Sequence, residues 1–183
     1  MAEQHTFVAF LRGINVGGHH KVPMAQLRGC MEAKGYWNVK TLLNSGNVIF
    51  DWTFAEEEQS LASQLEMLFE QTFGFPIPVL VRKAEDIYTL IHSSPFEGIE
   101  VTKDTRLYVS FTKESLKQPI SLPWVSDNGA YRILQENDGI ICSVLDLSVT
   151  NTVKGMETLE KFYGKNITTR NWNTLLKVAD KMS

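Results

Sequence analysis

The chain has 183 residues, enough for one domain or two small ones, and its 43% hydrophobic and 21% charged residues are ordinary for a globular protein. A formal net charge of −3 excludes a strongly basic nucleic-acid coat protein, no apolar run approaches a membrane span, and MAEQHTF lacks the pattern of a secretory signal. The expectation is a cytoplasmic protein without a membrane partner, in which Cys30 and Cys142 are buried free thiols.

In chain order, HTFVAFL (5–11) alternates around β-formers and reads as a strand. Pro23 sits in the first turn of a helix with Val22 as N-cap; Met24, Leu27, Cys30 and Met31 share one face, and Gly35 stops it. Residues 39–43 and 48–52 read as strands joined by Asn44-Ser45-Gly46-Asn47, a tight hairpin connection. Thr53 and Glu56 have capping-box spacing ahead of a helix whose Leu61, Leu65, Leu68 and Phe69 face the core. Gly74 ends that helix, and residues 77–81 are the next strand. The order β-α-β-β-α-β is that of a ferredoxin-like α/β plait. Its geometry makes one demand: the first two strands run the same way, so turn 44–47 must lie at the same end as loop 12–22.

Beyond this, residues 83–92 read as a helix, and Leu107, Val109 and Phe111 alternate as a half-buried strand. A Pro- and Ser-rich connection (119–128) precedes strands at 130–135 and 140–147, turned by residues 136–139. Helices at 153–163 and 171–182 finish the chain. This fits a second, more irregular plait with its first helix reduced to 113–118, although no sequence repeat marks a duplication. The expected architecture is α+β: a ferredoxin-like subdomain at 1–82, then a second α+β subdomain at 83–183 with a C-terminal helix.

Charge is unevenly spread. From Gln4 to Phe50 the only acid is Glu32, against five bases, and from Lys161 onward the only acid is Asp180, again against five. The loop RGINVGGHHKVPM, Arg12 to Met24, carries Arg12, His19, His20 and Lys21 and no acid. It is not a Walker loop: Gly13 and Gly18 are correctly separated, but His19 follows, Lys21 comes late and no hydroxyl follows it. No Gly-x-Gly occurs either, so no dinucleotide motif is present and no cofactor is implied. What remains is a strand, a glycine loop and a helix start. Backbone N–H groups freed at Gly17 and Gly18 suit an anion, and Val22 has no side-chain oxygen to occupy the first helical N–H groups. The plain alternative is that Gly17-Gly18 only turns the chain and Asn15 pins the loop internally.

Asn44, Ser45 and Asn47 alone read as an ordinary turn. Beside the first loop, they would offer neutral hydrogen bonds to a ligand whose charge is met by Arg12 or Lys21. TTRNWNT (168–174) reads as the start of the last helix, with Asn171 as N-cap and Trp172, Leu175, Leu176 and Ala179 as its apolar stripe. Arg170 at that helix start gains nothing from the macrodipole, which points to a partner carboxylate or a bound anion. His19-His20 does not make a metal site, because no Cys, Asp or Glu lies nearby in sequence to complete one. A Ser45–His19 nucleophile pair has no acid in either loop to orient the imidazole.

RGINVGG (12–18), KVPM (21–24), NV (38–39), SGNVIF (45–50) and TTRNWNT (168–174) together resemble the bacterial family called domain of unknown function 1697. The resemblance runs from the first strand to the final helix. It implies two ferredoxin-like halves and no established activity. This chain departs from the family pattern at His19-His20, where Lys or Asn is common, and at Asn44, where Gln is common.

The leading expectation is a binding module for an anionic or phosphorylated ligand, a nucleotide or a single-stranded nucleic acid, held between loop 12–22 and turn 44–47. Arg12, Asn15, Gly17, Gly18, Lys21, Asn44, Ser45 and Asn47 would line it, joined by Arg170 if the C-terminal segment reaches the same end. No RNP-like aromatic signature supports RNA recognition. One alternative is an enzyme acting on a small phosphorylated substrate, with His19 or His20 as acid–base. The other is a structural or protein-interaction domain; oligomeric state is not readable from the sequence.

Overall fold

The alternation in His5–Leu11 produces β1, in which every residue from Phe7 onward is buried. The computed structural model describes residues 3–53, 56–113 and 120–183 and divides the chain into two units, Met1–Thr89 with Lys177–Ser183, and Leu90–Leu176. It is a mixed α/β protein with two antiparallel sheets and five helices among the described residues.

In the first unit, β1 is followed by α1 (Met24–Ala33), β2 (Trp37–Leu42), β3 (Asn47–Trp52), α2 (Glu58–Phe73) and β4 (Val79–Lys83). The sheet order is β2-β3-β1-β4, with every neighbouring pair antiparallel. Because β1 and β2 both flank β3 antiparallel to it, they run the same way. Phe7, Ala9, Leu11, Val48 and Phe50 pack from the sheet against Leu27 and Met31 of α1 and Leu61, Leu65 and Phe69 of α2. Each fully buried Phe, Leu, Val or Met among them contributes about 1.5–3 kcal/mol over leaving it exposed.

Both borders of this sheet are occupied by side chains. At β4, Glu66 Oε1 accepts the Val79 N–H at 2.9 Å and Glu58 Oε1 accepts the Lys83 N–H at 2.8 Å. The spacing matches: eight residues of helix rise about 12 Å, and four of strand about 13 Å. At β2, Lys40 Nζ donates to Lys181 O at 3.2 Å, and Lys181 Nζ donates to Thr41 O at 3.0 Å.

Three local expectations shift. The N-cap of α1 is Pro23, not Val22, because Pro23 is still extended while its carbonyl accepts the Leu27 N–H at 3.0 Å; Pro23 makes no side-chain cap. The Thr53/Glu56 capping box is not used. Helix α2 starts at Glu58 after Glu57, and Glu56 Oε2 instead accepts from the Gln64 side chain at 2.5 Å. The strand expected at 77–81 lies two residues later, at Val79–Lys83.

The chain leaves the first unit within α3 (Ala84–His92). The second unit then holds β5 (Thr105–Thr112), β6 (Trp124–Val125), β7 (Tyr131–Asn137), β8 (Ile140–Asp146), α4 (Thr152–Tyr163) and β9 (Ile167–Asn171). Helix α5 (Trp172–Met182) follows β9 directly and carries the chain back. The order is β6-β7-β8-β5-β9, again antiparallel. Asn151 caps α4, its Oδ1 accepting the Lys154 N–H at 2.9 Å. Without β6, the order β7-β8-β5-β9 repeats the connectivity of β2-β3-β1-β4. The match extends to single bonds: Leu11 N–H donates to Gly46 O at 2.8 Å, and Thr112 N–H donates to Gly139 O at 2.9 Å.

The second half differs more from expectation. The two-residue β6 lies inside the stretch read as a connection. The short helix expected at 113–118 falls, from residue 114 on, outside the described residues. Helix α5 starts at Trp172, directly after Asn171 as expected, while the residues ahead of it form a strand not read from the sequence: β9 pairs Thr169 with Ser110 and Arg170 with Val109. In α5, Leu176 is 39% exposed and Val178 is fully buried, so the buried stripe runs through Leu175 and Val178.

Candidate functional site

The parallel course of β1 and β2 brings loop 12–23 and turn 43–46 together, and hydrogen bonds join them. Leu11 N–H donates to Gly46 O, and Asn15 Nδ2 donates to Asn44 O at 2.7 Å. Asn15 also bridges its own loop: Nδ2 donates to Val22 O at 3.1 Å while Oδ1 accepts the Val22 N–H. Its carboxamide is therefore engaged at both ends, as the internal-pin alternative describes.

The turn is equally self-contained. Asn47 is fully buried, and its Nδ2 donates to Leu42 O at 2.8 Å and Ser45 Oγ at 3.2 Å. Gly46 has φ +87, and a Cβ there would lie 2.7 Å from Leu11 Cβ and 2.9 Å from Ile14 Cδ1. It is a packing glycine, pressed against β1. Asn44 and Ser45 are exposed, as is Leu43, which holds φ +60, a conformation that is a genuine outlier for so bulky a residue.

Beyond Asn15 the first loop becomes a small protruding hairpin. Asn15 N–H donates to His20 O at 3.0 Å and His19 N–H to Val16 O at 3.1 Å, closing a turn on Gly17 (φ +59) and Gly18 (φ +78). Two consecutive positive φ values are the type I′ geometry that glycine favours. From Gly13 to Gly17 the sign of φ alternates, positive at 13, 15 and 17. Such alternation can gather successive backbone N–H groups into an anion-accepting nest, but here the central Asn15 N–H is given to His20 O. The Gly17 and Gly18 N–H groups have no acceptor among the described residues, and their Cα positions face open space.

Charge lies around this tip. Lys21 and His19 are exposed, and their side chains make no hydrogen bond or ion pair among the described residues. Arg12 is half-buried, and its N–H donates to Pro78 O at 3.0 Å. His20 is held in place: its ring stacks on Phe75 at 4.5 Å and 16°, with Nδ1 3.3 Å from Gly13 O. The sequence pattern does not signal the Phe75 partnership, because Phe75 reads only as part of the helix-ending Gly-Phe-Pro.

Arg170 belongs to the second unit, in β9, with only Asn171 between it and the start of α5. Its Nη1 donates to Thr169 O at 3.1 Å, and burial lowers the guanidinium pKa to about 10. Trp172 packs edge-on against Phe96 at 5.2 Å. Among the described residues no cluster of His, Cys, Asp and Glu is arranged to hold a metal, and no helix is long and apolar enough to cross a membrane.

The fold has a solved counterpart. The structure of conserved bacterial protein SP0830 from Streptococcus pneumoniae is similar over 99% of this chain and 100% of that one, with a TM-score of 0.74 and 23% identity. At that identity the likeness concerns the fold alone. No curated protein matches the chain. The family model described as protein of unknown function (DUF1697) matches residues 4–130, from ahead of β1 to just before β7, and on that span the chain belongs to the DUF1697 family.

Proposed function

We propose that the chain is a binding module for an anionic, phosphorylated ligand, built on two ferredoxin-like plaits of which the first carries the site. The observation that carries this reading is the Val16–His19 hairpin. It presents the Gly17 and Gly18 N–H groups beside Lys21 and His19, on a loop without an acid. Asn15, Gly46 and Asn47 act as the frame that fixes this tip; Arg12 and Lys21 supply charge; exposed Asn44 and Ser45 supply neutral contacts. The ferredoxin-like assignment rests on the β2-β3-β1-β4 order and its echo in β7-β8-β5-β9.

The ligand class is a nucleotide, a sugar phosphate or a short single strand, met by a cytoplasmic protein. An amide NMR titration with inorganic phosphate, AMP and a short oligonucleotide tests it. The Gly17 and Gly18 resonances should move first, Lys21→Ala should weaken binding several-fold, and added salt should do the same. A second reading, in which the two loops only brace the end of the sheet, is favoured by the internally engaged Asn15 and Asn47. It predicts no amide movement at millimolar phosphate and an effect of loop substitutions on melting alone.

A further inference from the structure

His20 is an exposed side chain held as firmly as a core one. Its ring lies on Phe75 with centroids 4.5 Å apart and planes inclined by 16°, and its Nδ1 sits 3.3 Å from Gly13 O. Phe75 is itself anchored: it packs half-buried against the core of the first unit, directly after Gly74 ends α2 at φ +84. The backbone is fixed too, since His20 O accepts the Asn15 N–H at 3.0 Å. A free surface histidine samples several staggered rotamers; this one is confined to a single ring plane. Phe75 covers one face of the imidazole, so the exposure of the residue belongs to the opposite face and the rim. The result is a flat, pre-positioned platform at the outer end of a stack that begins in the core.

The Gly17 and Gly18 N–H groups, which have no acceptor among the described residues, lie on the same loop. Gly18 and His20 are two residues apart in the chain, a stretch that reaches at most about 7 Å. We propose that the ligand of this loop is a nucleotide, its base stacked on the open face of His20 and its phosphate on the Gly17 and Gly18 N–H groups. The proposal rests on the anion-binding reading and narrows it. Inorganic phosphate and sugar phosphates satisfy the N–H groups but leave the platform bare, whereas a nucleotide carries a phosphate and a flat ring in one molecule. Every base has a π-face, so stacking accepts any of them without reading its edge. Exposed Lys21, next in the chain, adds charge for the phosphate.

NMR titrations of the full chain with AMP, ribose 5-phosphate and inorganic phosphate test this on wild type, His20→Ala and His20→Phe. Wild type should bind AMP about fivefold or more tighter than ribose 5-phosphate, the contribution of one stacked base, and the His20 ring protons should shift upfield. His20→Ala should abolish that preference and leave ribose 5-phosphate binding unchanged. His20→Phe, which restores a ring over Phe75, should retain the preference. An equal loss of both probes in His20→Ala overturns the stacking, because the phosphate they share then accounts for it. A preference for AMP that survives His20→Ala overturns the placement of the base. Equal affinity for AMP and ribose 5-phosphate in wild type, with the Gly17 and Gly18 amides moving, overturns the nucleotide assignment and leaves the anion-binding reading standing. If no probe moves those amides at millimolar concentration, both fall.

Discussion

Replacing Gly46 by alanine sets the close approach of turn and strand against the open tip of the hairpin. The new Cβ meets Leu11 Cβ at 2.7 Å and Ile14 Cδ1 at 2.9 Å. Ile14 can swing its terminal methyl aside, but Leu11 Cβ is fixed to the backbone of β1, so the turn itself must move. That movement stretches the 2.8 Å bond from Leu11 N–H to Gly46 O. The left-handed φ of +87 costs an L-residue about 1–2 kcal/mol, and overpacking of this kind about 1–3 kcal/mol. Together they give roughly 2–5 kcal/mol, or a fall in Tm of roughly 5–15 °C for a chain of this size. Gly17→Ala is the control, for its Cβ meets nothing within 4 Å and only the φ term applies, about 1–2 kcal/mol. Circular-dichroism melts of the two variants decide the matter. If Gly46→Ala melts within about 2 °C of wild type, or no lower than Gly17→Ala, the tight junction between turn and strand is refuted.

Asp51 is buried and its carboxylate accepts from Gln4 at 2.7 Å, Thr6 at 2.7 Å and Asn38 at 2.6 Å, so Asp51→Ala should cost about 2–4 kcal/mol in urea denaturation and Asp51→Asn less. A loss below about 1 kcal/mol for Asp51→Ala would mean the carboxylate oxygens are not what holds those donors. Burial raises the Glu58 pKa and Asp86 adds to it, against the opposing Lys83 N–H and Arg82. The folded chain therefore keeps that proton where the unfolded chain has lost it, and stability declines as pH climbs from about 4.3 through the raised value. Glu58→Gln should remove this decline; a wild type that instead gains stability over the variant across that window reverses the sign and the reasoning. Burial pushes the Cys142 thiol up to about 12 and also raises that of half-buried Cys30. A disulfide reagent at pH 7.5, roughly the working range of ordinary thiols, should label neither in the native protein and both in denaturant. Native labelling of Cys142 at the rate of free cysteine would contradict its burial.

The first half was readable because its side chains obey the periods of its elements. Phe7, Ala9 and Leu11 alternate into one core with Val48 and Phe50, and Leu61, Leu65 and Phe69 recur at helical spacing. The meeting of loop and turn followed from topology. How that meeting is used did not, because an asparagine that will face a ligand and one that will bridge its own carbonyls are written alike; Asn15 resolves only when Val22 and Asn44 are seen around it. In the second half the usual contrast between apolar and polar positions fails. Strand β9 carries Thr169 and Arg170, and its contacts to β5 set buried Thr168 beside Phe111 and Thr169 beside Ser110, with no aliphatic pair among them. Within α5 the apolar Leu176 reads as part of the buried stripe, but the position that faces the core is Val178. The echo between units is hidden in the same way: Val8, Phe10 and Arg12 answer Val109, Phe111 and Lys113, but Leu11 answers Thr112, a match of geometry more than of residue type.

The side chains along the borders of the first sheet bear on how this protein meets others of its kind. A bare outer strand is a template on which a second chain can add, and unchecked addition leads to fibres. Here the acids of α2 occupy Val79 and Lys83 along one border, and the reciprocal lysine clasp with Lys181 occupies the other. Growth of this sheet by strand addition is thereby obstructed at both sides. Removing Lys177–Ser183 would strip one guard and leave the other, a cut that trades solubility for an open edge.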